Sequence, residues 1–506
     1  MARAELRVLP FQAGKQRQYF HSRDGKKAVN LARKAFTGAS WVSLSSLVGN
    51  GLQLLQLALL ARLLPPQDFG MIALATVVVG FAQAYTDMGM GNAVIHRQDA
   101  THRQLSSLYW LNVLTGFAIF CVVQILAPLL AELWSTPALT GVIRWCAVIF
   151  LIEPLGQQFR LQLEKALRFG MLAAIEIAAS LLTISVALYT ALHGAGAYAL
   201  VWGPLAGAAC KAACLVMFGW SKSPPSFRLD AGDLKGFLRF GVYQMGERSI
   251  NFLGFNLDKL LLGSLLGMQA LGYYTVAYQL MSRPYQVFNP ILTRVAFPVF
   301  ARMQGDDARM RKGFLRMIGV VALIMFPVYA LMIALAQPLL GVVLGSAWQP
   351  AVGIFQILAV LGFFYSLGNP LGSLLLAKGR TDIGFYLNLF MIVLYVPAIL
   401  LGARYGGEGV AWCLIAATAF GLFPVGFLVR YRLVGLRPRE YLATIFPMLV
   451  CAVVVGWLAH LVDSSLSAHA NPARLVMLSA AGGLIYLAFV YKWKKHEWKE
   501  LWTALH

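Results

Sequence analysis

Near the middle of the chain a long apolar stretch is interrupted by Gln244, Glu247, Arg248, Asn251, Asn256, Asp258 and Lys259. At 3.6 residues per turn, Glu247, Asn251 and Asp258 share one helical face, and Arg248, Phe255 and Lys259 line the adjacent one. The next apolar stretch adds Arg283, Gln286 and Arg294 on roughly one face. Charges within hydrocarbon are costly, so they face a partner, a cavity or a pathway. Arginine's planar fork grips phosphate oxygens through paired, charge-assisted hydrogen bonds. A carboxylate in low-dielectric surroundings gains affinity for a proton or a sodium ion. Arg248, Arg283, Lys259, Lys211 and Arg294 are therefore the candidate anion-binding residues. Asp258, Glu247 and Asp87 are the candidate cation-coupling residues. Asp258 with Lys259, and Glu247 with Arg248, also qualify as self-neutralising pairs that merely hold the helix in place. Arg144, Glu153 and Glu176 sit near predicted helix ends, where an internal ion pair or a side chain snorkelling to the interface is the better reading. Tyr273, Tyr274, Tyr278 and Tyr285 suit sugar-ring stacking, although core or interfacial packing is the better reading for them.

No nucleotide loop, no Asp-x-Asp pair and no His-Glu-x-x-His motif is present, so no metal or cofactor is expected. Gly305-Asp-Asp307 reads as a solvated turn. The six cysteines all fall inside apolar stretches and predict neither a disulfide framework nor a metal set. The chemistry left is recognition and translocation.

The elements that position these residues follow from hydropathy. The 506 residues are 59% hydrophobic and 12% charged, with a mean hydropathy of +0.68, which excludes an ordinary soluble domain. Crossing ~30 Å of hydrocarbon takes about 20 apolar residues, and by that measure about 14 helical passes are predicted. They lie near 39–61, 70–95, 105–131, 138–157, 171–193, 196–219, 237–263, 270–298, 316–344, 350–377, 383–403, 407–429, 441–462 and 474–491. Alternate loops collect about 33 of the 42 basic residues, from the N-terminal arm to Lys492, Lys494, Lys495 and Lys499. The positive-inside rule makes that side cytoplasmic and puts both termini there. The net charge of +21 thus reports topology, with attraction to anionic lipid headgroups as a lesser effect. It does not report nucleic-acid binding.

The chain also repeats itself. Leu59–Gly70 (LLARLLPPQDFG) aligns without a gap on Leu261–Gly272 (LLGSLLGMQALG), six passes later. An even number of passes keeps both copies in one orientation and implies a pseudo-two-fold axis along the membrane normal. The expected organisation is a basic arm at 1–36, a six-helix lobe at 37–220, a linker at 221–236 and a second lobe at 237–430. A C-terminal helix pair at 441–493 and a tail at 494–506 complete it. Pro327, Asn289-Pro290 and Asn369-Pro370 are candidate hinges.

Several of these segments resemble one family. Ala61-Arg-Leu-Leu-Pro-Pro-Gln-Asp-Phe-Gly70 and Thr86-Asp-Met-Gly89 look like the start of its first lobe. Gly246-Glu-Arg-Ser-Ile-Asn251, Asn256-Leu-Asp-Lys-Leu-Leu-Leu-Gly263 and Leu271-Gly-Tyr-Tyr-Thr-Val-Ala-Tyr278 look like its second. The family is the Wzx-type flippases of the multidrug/oligosaccharidyl-lipid/polysaccharide exporter superfamily, and the resemblance spans about residues 36–435. It implies an all-α carrier in a bacterial inner membrane, not an enzyme. Its cargo would be an undecaprenyl-pyrophosphate-linked oligosaccharide, moved to the periplasmic leaflet by alternating access coupled to H+ or Na+. The product would feed exopolysaccharide, capsule or O-antigen synthesis, with a polysaccharide polymerase and a chain-length regulator as partners. A multidrug or peptidoglycan-precursor exporter of the same superfamily, and a membrane glycan polymerase or ligase, are the alternatives.

Overall fold

The computed structural model describes residues 24–86, 102–220, 224–226, 231–465 and 472–493, and among them the chain is helical with no strand. α1 (Asp24–Leu63), α2 (Pro66–Thr86) and α3 (His102–Leu133) come first. α1 is 40 residues long, about 60 Å at 1.5 Å per residue and roughly twice the hydrocarbon thickness. It therefore begins well inside the segment read as an arm. α4 (Leu139–Cys146) and α5 (Ile149–Lys165) together make the fourth pass. That pass was expected at 138–157; it is broken after Cys146 and continues to Lys165. α6 (Phe169–Leu192) and α7 (Ala199–Trp220) complete the first group.

α8 (Ala231–Ala301) runs through two passes, because its turn is a single residue. Gly267 adopts φ +79° and ψ 175°, a conformation open in practice only to glycine. α9 (Asp307–Ala334), the short α10 (Ala336–Val343), α11 (Ala351–Ala377) and α12 (Thr381–Ala403) follow. The ninth pass starts nine residues before its expected position. The Asp306 carboxylate caps α9 by accepting from the Arg309 N–H at 2.9 Å, so the Asp-Asp turn is a helix start. α13 (Gly406–Phe420) joins α14 (Gly426–Val434) through one π-helical turn, which accommodates Pro424 and its missing N–H. α15 (Pro438–Ser465) and α16 (Pro472–Trp493) end the described chain.

Twelve described stretches are long and apolar enough to cross a membrane. One of them, Asn256–Ala301, contains the Gly267 turn. Dividing it there and adding the apolar α2 recovers the fourteen passes expected.

Packing sorts the helices into two groups and a C-terminal pair. α6 packs on α1 and α7, and α5 on α3 and α7; α11 packs on α8, α9 and α13, with α12 against α13. α15 and α16 pack on each other and on α9. α2 lies along α8 and joins the groups. The joint is reciprocal. A Cβ on Gly70 would sit 1.9 Å from the Met268 carbonyl oxygen, and one on Gly272 would sit 1.8 Å from that of Pro66. In the repeat, Gly70 aligns with Gly272 and Pro66 with Met268. Each copy thus touches its counterpart's partner, as a contact across a two-fold axis requires.

Two tryptophans reinforce this end. Trp348 Nε1 donates to the Ala61 carbonyl at 2.8 Å, and Trp134 Nε1 donates to that of Leu260 at 3.3 Å. Ala61 lies in the last turn of α1, and the residue four ahead, Pro65, has no N–H to offer it. The Trp348 indole supplies the missing donor. Trp348→Phe is expected to cost about 1–3 kcal/mol, because it leaves a buried carbonyl unpaired. Trp134→Phe should cost less, since Leu260 lies within a continuous helix and keeps a backbone partner. Thermal unfolding midpoints of the two purified variants check this order.

Candidate substrate cavity and bundle interface

The candidate residues separate into three places. Arg283 on α8 lies between the groups: its Nη1 donates to Gln53 Oε1 of α1 at 3.0 Å. Its Nε is buried and has no partner among the described residues. The contact joins residues 230 positions apart and, among the described residues, involves no carboxylate. Arg294, further along α8, is exposed. The side chains of Glu247 and Arg248, and all of Asp87, lie outside the described residues.

Asp258 lies on the wall of a cavity of about 580 Å³ inside the second group. The cavity runs beside α8, α11 and α12, from Asp258 and Ile399 at its inner end to Leu375 and Gly384 near the Lys378–Arg380 loop. The Tyr274 hydroxyl donates to Asp258 Oδ2 at 2.8 Å, and the Lys259 backbone N–H donates to Oδ1 at 2.8 Å. Lys259 turns away from the opening. Its Nζ donates to Asn256 Oδ1 at 2.8 Å and stands 5.7 Å from the Tyr278 ring centroid. Asp258 and Lys259 are consecutive, about 100° apart on the helix, so only one of them reaches the cavity.

The cavity is walled mostly by apolar side chains and glycines, among them Leu257, Met281, Leu371, Leu387 and Met391. Its polar groups include tyrosines, Asn369, Asn388 and Asp258, and among the described residues no lysine or arginine lines it. Tyr278, Tyr285, Tyr365 and Tyr395 surround it. Tyr365 lies beside Tyr278 and Tyr395 on this wall, and the Tyr395 hydroxyl lies 3.1 Å from Thr418 Oγ1. Of the four tyrosines singled out in the sequence, Tyr278 and Tyr285 reach this space, whereas Tyr273 packs edge-on against Trp348 at 5.8 Å. Sequence reading missed Tyr365, Tyr395, Asn369 and Asn388 as site residues. The signal was there for the amides, since an asparagine in an otherwise apolar pass needs a polar environment.

Lys211 belongs to neither place. It lies in the first group among Arg160, Glu153, Glu164 and Glu176. Arg160 pairs with Glu164 at 2.9 Å and approaches Glu176 at 4.0 Å, and Glu153 Oε2 accepts from Gln83 Nε2 at 2.6 Å. Glu153 thus meets a neutral amide, and Glu176 lies at the edge of ion-pair distance from Arg160. Among the described residues, the cations form no single row.

The chain is a many-pass α-helical protein whose two packed groups meet at a repeat-related joint at one end, with a cavity inside the second group. A family profile described as "Polysaccharide biosynthesis protein" matches residues 59–353. The teichuronic acid biosynthesis protein TuaB of Bacillus subtilis (strain 168) is 34% identical over 92% of this chain and 96% of its own length. The lipopolysaccharide biosynthesis protein WzxC of Escherichia coli (strain K12) is 31% identical over 85% and 89%. A structure of the lipid II flippase MurJ in an inward closed conformation superposes with a TM-score of 0.71, covering 90% of this chain and 98% of that one at 13% identity; this last likeness is one of fold. The chain belongs to the polysaccharide biosynthesis protein family and is of the Wzx type.

Proposed function

We propose that the protein is a flippase that carries an undecaprenyl-pyrophosphate-linked oligosaccharide from the cytoplasmic to the periplasmic leaflet of a bacterial inner membrane. The observation that carries this reading is Arg283, held between the groups by a neutral glutamine with one N–H unpaired. A guanidinium so held keeps its charge available for a phosphate. In this reading the end bearing the basic loops is cytoplasmic, with both termini there, and the end joined by Gly70 and Gly272 is periplasmic. Arg283 and Arg248 draw the pyrophosphate between the groups. The prenyl chain stays in lipid, along a groove of about 520 Å³ lined by Leu323, Pro327 and Leu331 of α9 and by Leu475, Gly483 and Leu487 of α16. The names of TuaB and WzxC, each a biosynthesis protein for a cell-surface glycan, support a glycan cargo.

The test is depletion of the protein, followed by analysis of the lipid-linked intermediates that accumulate in the cytoplasmic leaflet. An oligosaccharide repeat unit on undecaprenyl pyrophosphate is expected. Accumulation of the peptidoglycan precursor instead would move the cargo to the other flippase class. Elongation of repeat units by the purified protein would make it an enzyme.

Coupling is assigned to Asp258, a carboxylate open to the cavity. Asp258→Asn keeps an oxygen to accept from Tyr274 and removes the charge. In proteoliposomes, translocation by the wild type is expected to accelerate under an imposed H+ or Na+ gradient, and translocation by Asp258→Asn to proceed at one rate with or without it. A variant that still responds would exclude Asp258 as the coupling site.

A further inference from the structure

We propose that the cavity within the second group is a saccharide-binding chamber, which receives one pyranose ring of the glycan while the pyrophosphate stays between the groups. The inference rests on the flippase reading and adds a site to it. Its chemistry differs from that of the bundle interface. The interface holds a cation; the chamber presents tyrosine rings, amides and one carboxylate. A pyranose has apolar C–H faces that pack on aromatic rings and a rim of hydroxyls that pair with amides and carboxylates.

Four further observations support a neutral ring as the occupant. First, the volume of about 580 Å³ lies within the range of small-molecule sites. Second, Asn369 and Asn388 line the chamber and make no side-chain hydrogen bond among the described residues. Each amide leaves two donors and an acceptor available. Third, Asp258 keeps acceptor capacity for a sugar hydroxyl beside the bonds it takes from the Tyr274 hydroxyl and the Lys259 N–H. Tyrosine faces also attract organic cations, so such a cation is the competing occupant that the test includes. Fourth, two positions of the α11 wall carry no side chain. Gly368 and Gly372 lie one turn apart on α11, and a Cβ at either would meet nothing within 4 Å.

Gly372 supplies a test that leaves the fold intact. Gly51→Ala adds a methyl group into open space on α1, outside the chamber. Gly372→Leu extends a side chain from a lining position whose Cβ would meet nothing within 4 Å. The purified full chain in lipid nanodiscs is titrated by saturation-transfer NMR with methyl glycosides of glucose, galactose and N-acetylglucosamine, and separately with tetraphenylphosphonium. At least one glycoside is expected to bind the wild type and Gly51→Ala alike. Its affinity should fall at least about tenfold in Gly372→Leu and in the double variant Asn369→Ala, Asn388→Ala. The proposal is overturned if no glycoside binds, if binding survives Gly372→Leu unchanged, or if only tetraphenylphosphonium is displaced by the leucine. Because no transport is measured, the outcome is independent of the cargo assignment. Glycoside binding in a protein that moves no lipid-linked glycan would count against the flippase reading and leave the chamber standing.

Discussion

Gly272→Val is expected to abolish polysaccharide export in cells that make the protein at normal levels, while Gly51→Ala leaves export intact. Both add apolar atoms to a helical glycine. The difference is what those atoms meet. At Gly272 a Cβ would lie 1.8 Å from the Pro66 carbonyl oxygen, and at Gly51 it would meet nothing within 4 Å. The obstacle at Gly272 is backbone, so no rotamer change relieves it; α2 and α8 have to part by more than about 1 Å to restore van der Waals distance. Overpacking of this kind costs about 1–3 kcal/mol. Here the cost falls on the closed joint between the groups, because each group can remain packed on its own helices. A penalty of that size shifts the closed-to-open ratio about 5- to 150-fold. A cysteine placed at Leu64, which is buried in this joint, reads the shift in a background without the six native cysteines. Labelling by a membrane-impermeant maleimide should rise sharply in Gly272→Val. Unchanged labelling with unchanged export would show that the reciprocal contact is not the closure that the transport cycle uses.

Joint replacement of Arg248 and Arg283 by alanine should also abolish export, for a chemical reason. Arg283 spends one N–H on Gln53 and keeps its buried Nε unpaired among the described residues. Hydrogen bonds to charged groups contribute about 1.5–3 kcal/mol each, so losing two cationic partners weakens anion binding by a factor of about 10² or more. Arg283→Lys retains the charge and loses the fork, and an intermediate loss is expected. Gln53→Ala should do less harm than either, since it frees the guanidinium without removing it. Surface polysaccharide and the accumulated lipid-linked intermediate are both measured at matched protein levels. Undiminished export in the double variant would reject the assignment of these arginines to the cargo.

Much of this was legible in the residues, and the boundary has a physical cause. Pass number and length follow from one-dimensional hydropathy, because each pass must satisfy its own backbone within hydrocarbon. The errors fall where local chemistry overrides hydropathy: the break after Cys146, the Asp306 cap ahead of α9 and the single-residue turn at Gly267. The matched segments at 59–70 and 261–272 foretold a symmetric relation, and the structure brings Gly70 and Gly272 into reciprocal contact.

Helical periodicity grouped Asp258 and Lys259 as bordering one wet space, but it assigns a face and not a neighbour. In three dimensions Asp258 meets Tyr274 and the cavity, and Lys259 meets Asn256. Lys211, grouped with the anion-binding cations by type, is surrounded instead by first-group carboxylates. The sequence alone determined the membrane fold, the repeat and the family, because those depend on local hydropathy and ordered segments. Only the tertiary structure decided that Arg283 reaches Gln53 and that Tyr278, Tyr365 and Tyr395 converge on one cavity. Those encounters join helices far apart in the chain, and their geometry is set by how the helices pack, which no single helix encodes.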